Sequence, residues 1–312
     1  MKKYSTGSLL ILFCLILGIP MQAFAQMKTL VDTNKSFTGI TKIEVSGGAL
    51  DIYFQGKQQE EVNVEAFLES TYHDQDIVFV KVGNVLKISH EVNNNRSAWN
   101  NVRTKGHIKI QGPREMGLDM AAGSGTLHAS QAIASEIKMR VGSGKINGQD
   151  LKGNIEVRAG SGSIHLAQVV GDVAGYVGSG NSEMKEINGN VKYSSSSGRL
   201  IASNIDGMME VNLTSGSAKL DNVAELGPLK LTSGSINAQN VGLGESTGIY
   251  GTSGNFKIQT HSNLKDFNFH LNATSGNLRV GNSQSRRSLA VDNGSDLNIK
   301  GNITSGNISI QN

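Results

Sequence analysis

LTSGSAKL (213–220) and LTSGSINA (231–238) repeat one eight-residue pattern at an interval of 18 residues. Each has a Ser-Gly pair followed by alternating apolar and polar residues. Upstream the pair recurs as Ser143-Gly144, Ser161-Gly162, Ser179-Gly180, Ser197-Gly198, Ser215-Gly216 and Ser233-Gly234, always 18 residues apart. Less regular steps extend the series to Ser124 on one side and to Ser253, Ser275 and Ser305 on the other, with Asn293-Gly294 standing in for one copy.

With the serine as position 1, position 4 holds Leu127, Ile146, Ile164, Leu200, Ile236, Phe256 and Leu278. Position 6 holds Leu166, Met184, Leu220, Ile258 and Val280, and position 9 holds Leu151, Val169, Ile187, Ile205, Val223 and Val241. Ile155, Val157 and Ala159 alternate with Glu156 and Arg158. Period-two alternation in short runs broken by glycine denotes short strands. Recurrence at a fixed interval denotes coils that cannot bury their apolar faces alone and so share one core by stacking. The expected fold is all-β: a single-domain parallel β-helix, or β-solenoid, with about 18 residues per coil. At a strand spacing of ~4.8 Å, about ten coils make a rod roughly 50 Å long. Glycine at the pair permits a sharp bend, and stacked serines are expected to bond along the rod. Asn204, Asn222 and Asn240, at position 8, predict an internal asparagine ladder at a second bend.

Residues 1–25 read as a signal peptide: Lys2 and Lys3, an apolar run from Leu9 to Ile19, and a small-x-small site at Ala23-Phe24-Ala25. Cys14, the one cysteine, lies inside that run behind Phe13, which is not the setting of a lipidated cysteine. Export to the periplasm or cell surface, not as a lipoprotein, is therefore expected. Without Lys2 and Lys3 the Lys and Arg number 27 against 26 Asp and Glu. Near-neutral charge and the lack of a recognition motif argue against nucleic acid. No later stretch is apolar enough to span a bilayer as a helix. Residues 26–115 alternate with longer strands and connections and read as an N-terminal cap with wide first coils. Residues 116–312 form the regular solenoid.

FTGITKIEVSGGALDIYFQG (37–56), followed by serial GSGxI and TSGNI units, resembles the bacterial adhesin-like family with a head domain of short β-repeats (GIN type). The resemblance covers nearly all of the chain after residue 25. It implies an exported β-solenoid with a role in surface adhesion and no catalytic residues. The chain ends ISIQN, without the barrel-like strands of a self-sufficient autotransporter.

Chemistry-bearing motifs are thin. Gly244–Gly248 fits G-x-S-x-G but has no strand-to-helix turn around it. Gly142–Ile146 lacks the earlier glycine and the Ser or Thr of a phosphate loop. His128 and His165 are two coils apart, and Asp292–Asp296 lacks the closing glutamate of a calcium loop. No cofactor or metal is expected. The acids Glu156, Glu183 and Glu186 are scattered rather than facing one another across a bond, which disfavours a polysaccharide-cleaving β-helix enzyme. The expected function is a non-catalytic binding, adhesion or scaffold surface in the cell envelope, with a periplasmic structural or envelope-stress protein as the other alternative. Candidate binding residues are Trp99, in an asparagine-rich loop suited to stacking on a sugar, and an outward row of Lys219, Asn237, Lys257 and Arg279, continued by Asn298, with Arg286 and Arg287 in the next bend. Lys257 and Arg279 are expected to be neighbours about 5 Å apart, in a row suited to an anionic glycan or another acidic envelope component.

Overall fold

The computed structural model describes residues 26–93 and 102–312. All its strands, β1 to β17, join in one sheet that winds into a solenoid. They are β1 (Lys28–Phe37), β2 (Lys42–Ser46), β3 (Asp51–Lys57), β4 (Val62–Ser70), β5 (Gln75–Val82), β6 (Val85–Val92), β7 (Thr104–Pro113), β8 (Gly117–Ala122), β9 (Thr126–Val141), β10 (Lys145–Ala159), β11 (Ser163–Val170), β12 (Val173–Asn188), β13 (Val191–Thr260), β14 (Asn268–Val280), β15 (Ser283–Ser285), β16 (Ser288–Val291) and β17 (Asn298–Gln311).

Parallel pairing carries the expected interval. Ile146 faces Ile164, Ile155 faces Val173, and Val173 faces Val191, each 18 residues on. The one 19-residue step, from Leu127 to Ile146, is absorbed by a register shift between Lys152 and Asn154. Alternate side chains fill one continuous core. Leu127, Ile146, Ile164, Leu200 and Leu278 are fully buried, as are Met184, Leu220 and Val241. Each such Leu or Ile contributes about 1.5–3 kcal/mol relative to exposure. Tyr193 is also in the core, its hydroxyl donating to Ser182 Oγ at 3.0 Å, and burial pushes its phenol up.

The Ser-Gly bend has a tighter cause than backbone freedom. The glycines stack so closely that a Cβ on Gly162 would collide with the carbonyl oxygen of Gly144, and one on Gly234 with that of Gly216. The serines face solvent, and among the described residues no hydrogen bond joins their hydroxyls, contrary to expectation. Hydroxyls one strand apart are separated by ~4.8 Å, beyond hydrogen-bond reach. A carboxamide is wide enough and offers both a donor and an acceptor. Asn222 Nδ2 donates to Asn204 Oδ1 at 2.8 Å, and Asn240 Nδ2 to Asn222 Oδ1 at 3.1 Å. This ladder is on the outside of the rod, not inside it. Its bend is left-handed in coil after coil: Gln131, Asp150, Gln168, Glu186, Asn204, Asn222 and Asn240 all have φ between 50° and 58°. Asparagine tolerates that conformation best among them.

Residues 26–115 join the same stack. β2 pairs in parallel with β6 and β8, and β3 with β7 and β9. Antiparallel strands finish that end, with β4 on β7, β1 on β4, and β5 on β6.

The other end departs from chain order. Ser305 of β17 faces Ser253 of β13 on one side and Ser275 of β14 on the other, so β17 lies between two strands that precede it. β15 and β16 then pair antiparallel on β14. Asn293-Gly294 is therefore no copy of the repeat. Asn293 sits in a turn, its amide donating to the carbonyls of Leu264 and Phe267.

Candidate binding surface

Position 5 of every coil points outward, and β pairing places these side chains in one straight ladder. From the N-terminal end it runs Lys109, Tyr53, His128, Asn147, His165, Glu183 and Ile201. The 18-residue interval continues it to Lys219 and Asn237. Beyond Lys257 the ladder passes through Ser309 before it reaches Arg279. Lys257 and Arg279 are thus not neighbours: the inserted β17 holds them two strand spacings apart, about 10 Å. Asn298 leaves the row as well, because it faces Asn268 on another side of the coil.

The C-terminal stretch of this ladder reads Lys219, Asn237, Lys257, Ser309, Arg279, with a cation at every second step. All three cations are solvent-exposed, and Asn237 is half-buried with its Oδ1 unpartnered. Arg279 Nε donates to the Gly281 carbonyl at 3.0 Å. Gln284 of β15 faces Arg279, and two residues on, Arg286 and Arg287 lie exposed in the connection to β16. They close the end of the stripe and place charge beside two short outer strands, a device that blocks edge-to-edge pairing with other chains. Trp99 lies outside the described residues, as do residues 1–25.

Charge is distributed unevenly along the rod. Among the described residues every ion pair falls between Lys42 and Glu210. Glu183 binds Lys185, with His165 Nδ1 at 3.3 Å, and the Lys185 ammonium holds its carboxyl below the usual range. Glu156 meets Arg158 at 2.6 Å, and the guanidinium lowers it likewise. Both acids are ionised and engaged, an arrangement that suits a charged surface more than a proton donor. From residue 211 onward there are eight Lys and Arg against six Asp and Glu, and none of them forms an ion pair among the described residues.

The G-x-S-x-G match has a local structural role. Thr247 is buried, accepts from the Gly244 amide at 2.9 Å and donates to the Leu226 carbonyl at 2.5 Å, tying an insertion onto β13. At Asp292–Asp296, Asp292 Oδ1 accepts from the Gly294 amide at 3.0 Å, a local turn.

One feature escaped sequence reasoning although its signal was present. TSGN occurs at 252–255, 274–277 and 304–307. Its asparagines form a second ladder, Asn277 Nδ2 donating to Asn307 Oδ1 at 3.2 Å and Asn307 Nδ2 to Asn255 Oδ1 at 2.7 Å. Comparison of TSGN with the TSGS of 214–217 and 232–235 groups those three strands.

Several solved structures resemble the chain weakly. A "putative lipid binding protein" from Parabacteroides distasonis is 15% identical with a TM-score of 0.41, covering 90% of this chain and 97% of its own. A "putative adhesin" from the same organism is 12% identical with a TM-score of 0.36, covering 91% and 97%. A "putative cell adhesion protein" from Clostridium sporogenes is 13% identical with a TM-score of 0.29, covering 90% and 99%. A search of curated proteins finds no match. Among the described residues no helix is long and apolar enough to cross a membrane. A family model, Toastrack DUF4097, matches residues 40–311, from the first parallel strands to the inserted last one, and the chain belongs to that family.

Proposed function

We propose that the protein is an exported, non-catalytic binding rod of the bacterial cell envelope, engaging an acidic polymer along the stripe of Lys219, Lys257 and Arg279. The observation that carries this reading is the unpaired, alternating order of that stripe. Among the described residues ion pairs stop at Glu210, and beyond it these three cations stand exposed on one line without a carboxylate partner. Their separation of about 10 Å, two strand spacings, suits a polymer with one charge per two units better than one charged at every unit. An acidic polysaccharide with one carboxylate per disaccharide has that form.

Hyaluronan serves as the sparsely charged probe and heparin as the dense one. Hyaluronan binding should fall steeply between 0.05 and 1 M salt, where screening shortens to about 3 Å. Lys257→Glu with Arg279→Glu should abolish binding and leave the melting temperature unchanged, because both side chains are exposed. Salt-insensitive binding, or binding retained by the double variant, places the adhesive surface elsewhere.

A further inference from the structure

A second outward ladder, on a different side of the coil, carries Arg158, Tyr176 and Ser194 on consecutive strands, with Asn212 one repeat further. Beside it runs a groove of about 510 Å³ lined by these four residues and by Ser196 and Thr214. The groove opens where the neighbouring outward row, Gly160, Gly178, Ser196 and Thr214, begins with two residues that have no side chain. Gly160 and Gly178 stack there so tightly that a Cβ on Gly178 would come within 2.5 Å of the Gly160 carbonyl oxygen.

Tyr176 is held rather than loose. The Arg158 guanidinium lies 4.3 Å from its ring centroid, and Arg158 Nε donates to Glu156 Oε1 at 2.6 Å. Glu156 also balances the charge of Arg158, so the groove has little net field. The rest of the rim is unengaged: among the described residues Ser194, Ser196, Asn212 and Thr214 make no side-chain hydrogen bond. This contrasts with the asparagines of both ladders, which bond one another. Further along the same side, Tyr250 is 39% exposed, about 19 Å or four strand spacings from Tyr176.

We propose that this groove binds a neutral polysaccharide lying along the rod axis. Tyr176 is the platform for a sugar face, and Ser194, Ser196, Asn212 and Thr214 bond its hydroxyls. A rigid ring with a few free polar groups around it is the usual make-up of such a site. Nucleic acid would require a positive field that the Arg158–Glu156 pair removes. The site is separate from the cation stripe and stands independently of it.

Calorimetric titration of the full chain with cellohexaose and N-acetylchitohexaose tests this. At least one hexasaccharide should bind equally in 0.05 and 1 M salt. Tyr176→Ala and Asn212→Ala should each weaken binding tenfold or more, whereas Tyr176→Phe and the Lys257→Glu, Arg279→Glu double variant should retain it. Ser194→Tyr, which fills the groove from its solvent side, should abolish binding at an unchanged melting temperature and covers the case in which Tyr176→Ala does not fold. Failure of both sugars to bind at millimolar concentration, or binding that survives Ser194→Tyr, overturns the proposal. Binding lost in the Lys257→Glu, Arg279→Glu double variant overturns it too, and assigns the sugar to the cation stripe.

Discussion

In the middle of the rod, from Ser143 to Ser233, stacking order and chain order coincide. At the C-terminal end they do not, because β17 enters between β13 and β14. Both regions share the Ser-Gly bend and the buried positions that follow it. The difference is the connection. In the middle, 18 residues make one circuit and nothing is left over, so each coil can only land on its predecessor. Residues 281–297 exceed what the return needs, and β15 and β16 occupy the surplus on the outer side of β14. The chain then comes back on the inner side. A repeat thus specifies what a coil looks like, while connection length decides which coil is its neighbour.

The most severe way to break this comparison is deletion of residues 298–312. In a solenoid stacked in chain order, loss of the last coil uncovers only the one before it. Here the deletion removes the parallel partner of β14 and uncovers the last coil of β13 together. β14 should lose all amide protection and be cleaved by protease within 262–280, although it precedes the deletion. Amides of β10 to β12 should keep their protection, since stability in stacked repeats is largely a nearest-neighbour property. Unchanged protection of β14 would refute the inserted order.

A smaller effect is expected from charge buried in single coils. Val157 is fully buried in the middle, and Val157→Asp should cost several kcal/mol as an unpaired charge in a stacked interior. Arg158→Asp, one residue along and exposed, should stay within about 1 kcal/mol of neutral. Ile308 is the buried counterpart in β17, between Phe256 and Leu278. Ile308→Asp should release the C-terminal end alone, seen as a separate early melting step, whereas Val157→Asp should lower the main transition. A single shared transition for both variants would mean that the two regions unfold as one.

Most of the coil was legible in the sequence because burial imposes a strict pattern on it. Ile155, Val157 and Ala159 inward with Glu156 and Arg158 outward follow directly from period two. The stack order was not legible, because Ser253, Ser275 and Ser305 present the same apolar positions and fit one another in any sequence. Lys257 and Arg279 were correctly placed on one outward row, yet their spacing depended on Ser309, a neighbour that follows both in sequence and comes to lie between them. The groove at Tyr176 was invisible for a related reason. Its walls come from strands 18 residues apart, and it opens where side chains are missing at Gly160 and Gly178.

The mildest test compares the polar ladders of the two regions with the serine row between them. Asn222 bonds both Asn204 and Asn240 and sits at φ 55°, so Asn222→Ala should cost about 1–2 kcal/mol through two lost bonds and the left-handed backbone. Asn222→Gly keeps the backbone relaxed and isolates the bonds, at about 1 kcal/mol or less. Asn307 also bonds two neighbours, Asn255 and Asn277, but is not among the residues with positive φ. Asn307 Oδ1 also accepts from the Asn277 backbone amide at 3.1 Å, so Asn307→Ala should cost somewhat more than Asn222→Gly, through bonds alone. Ser215→Ala should be within about 0.5 kcal/mol of wild type, since its hydroxyl is exposed and has no partner in the ladder. Chemical denaturation of the four variants settles the ranking. A serine variant as costly as the asparagine ones would mean that the hydroxyls do bond along the rod. Equal costs for Asn222→Ala and Asn222→Gly would remove backbone conformation as the reason asparagine occupies that bend.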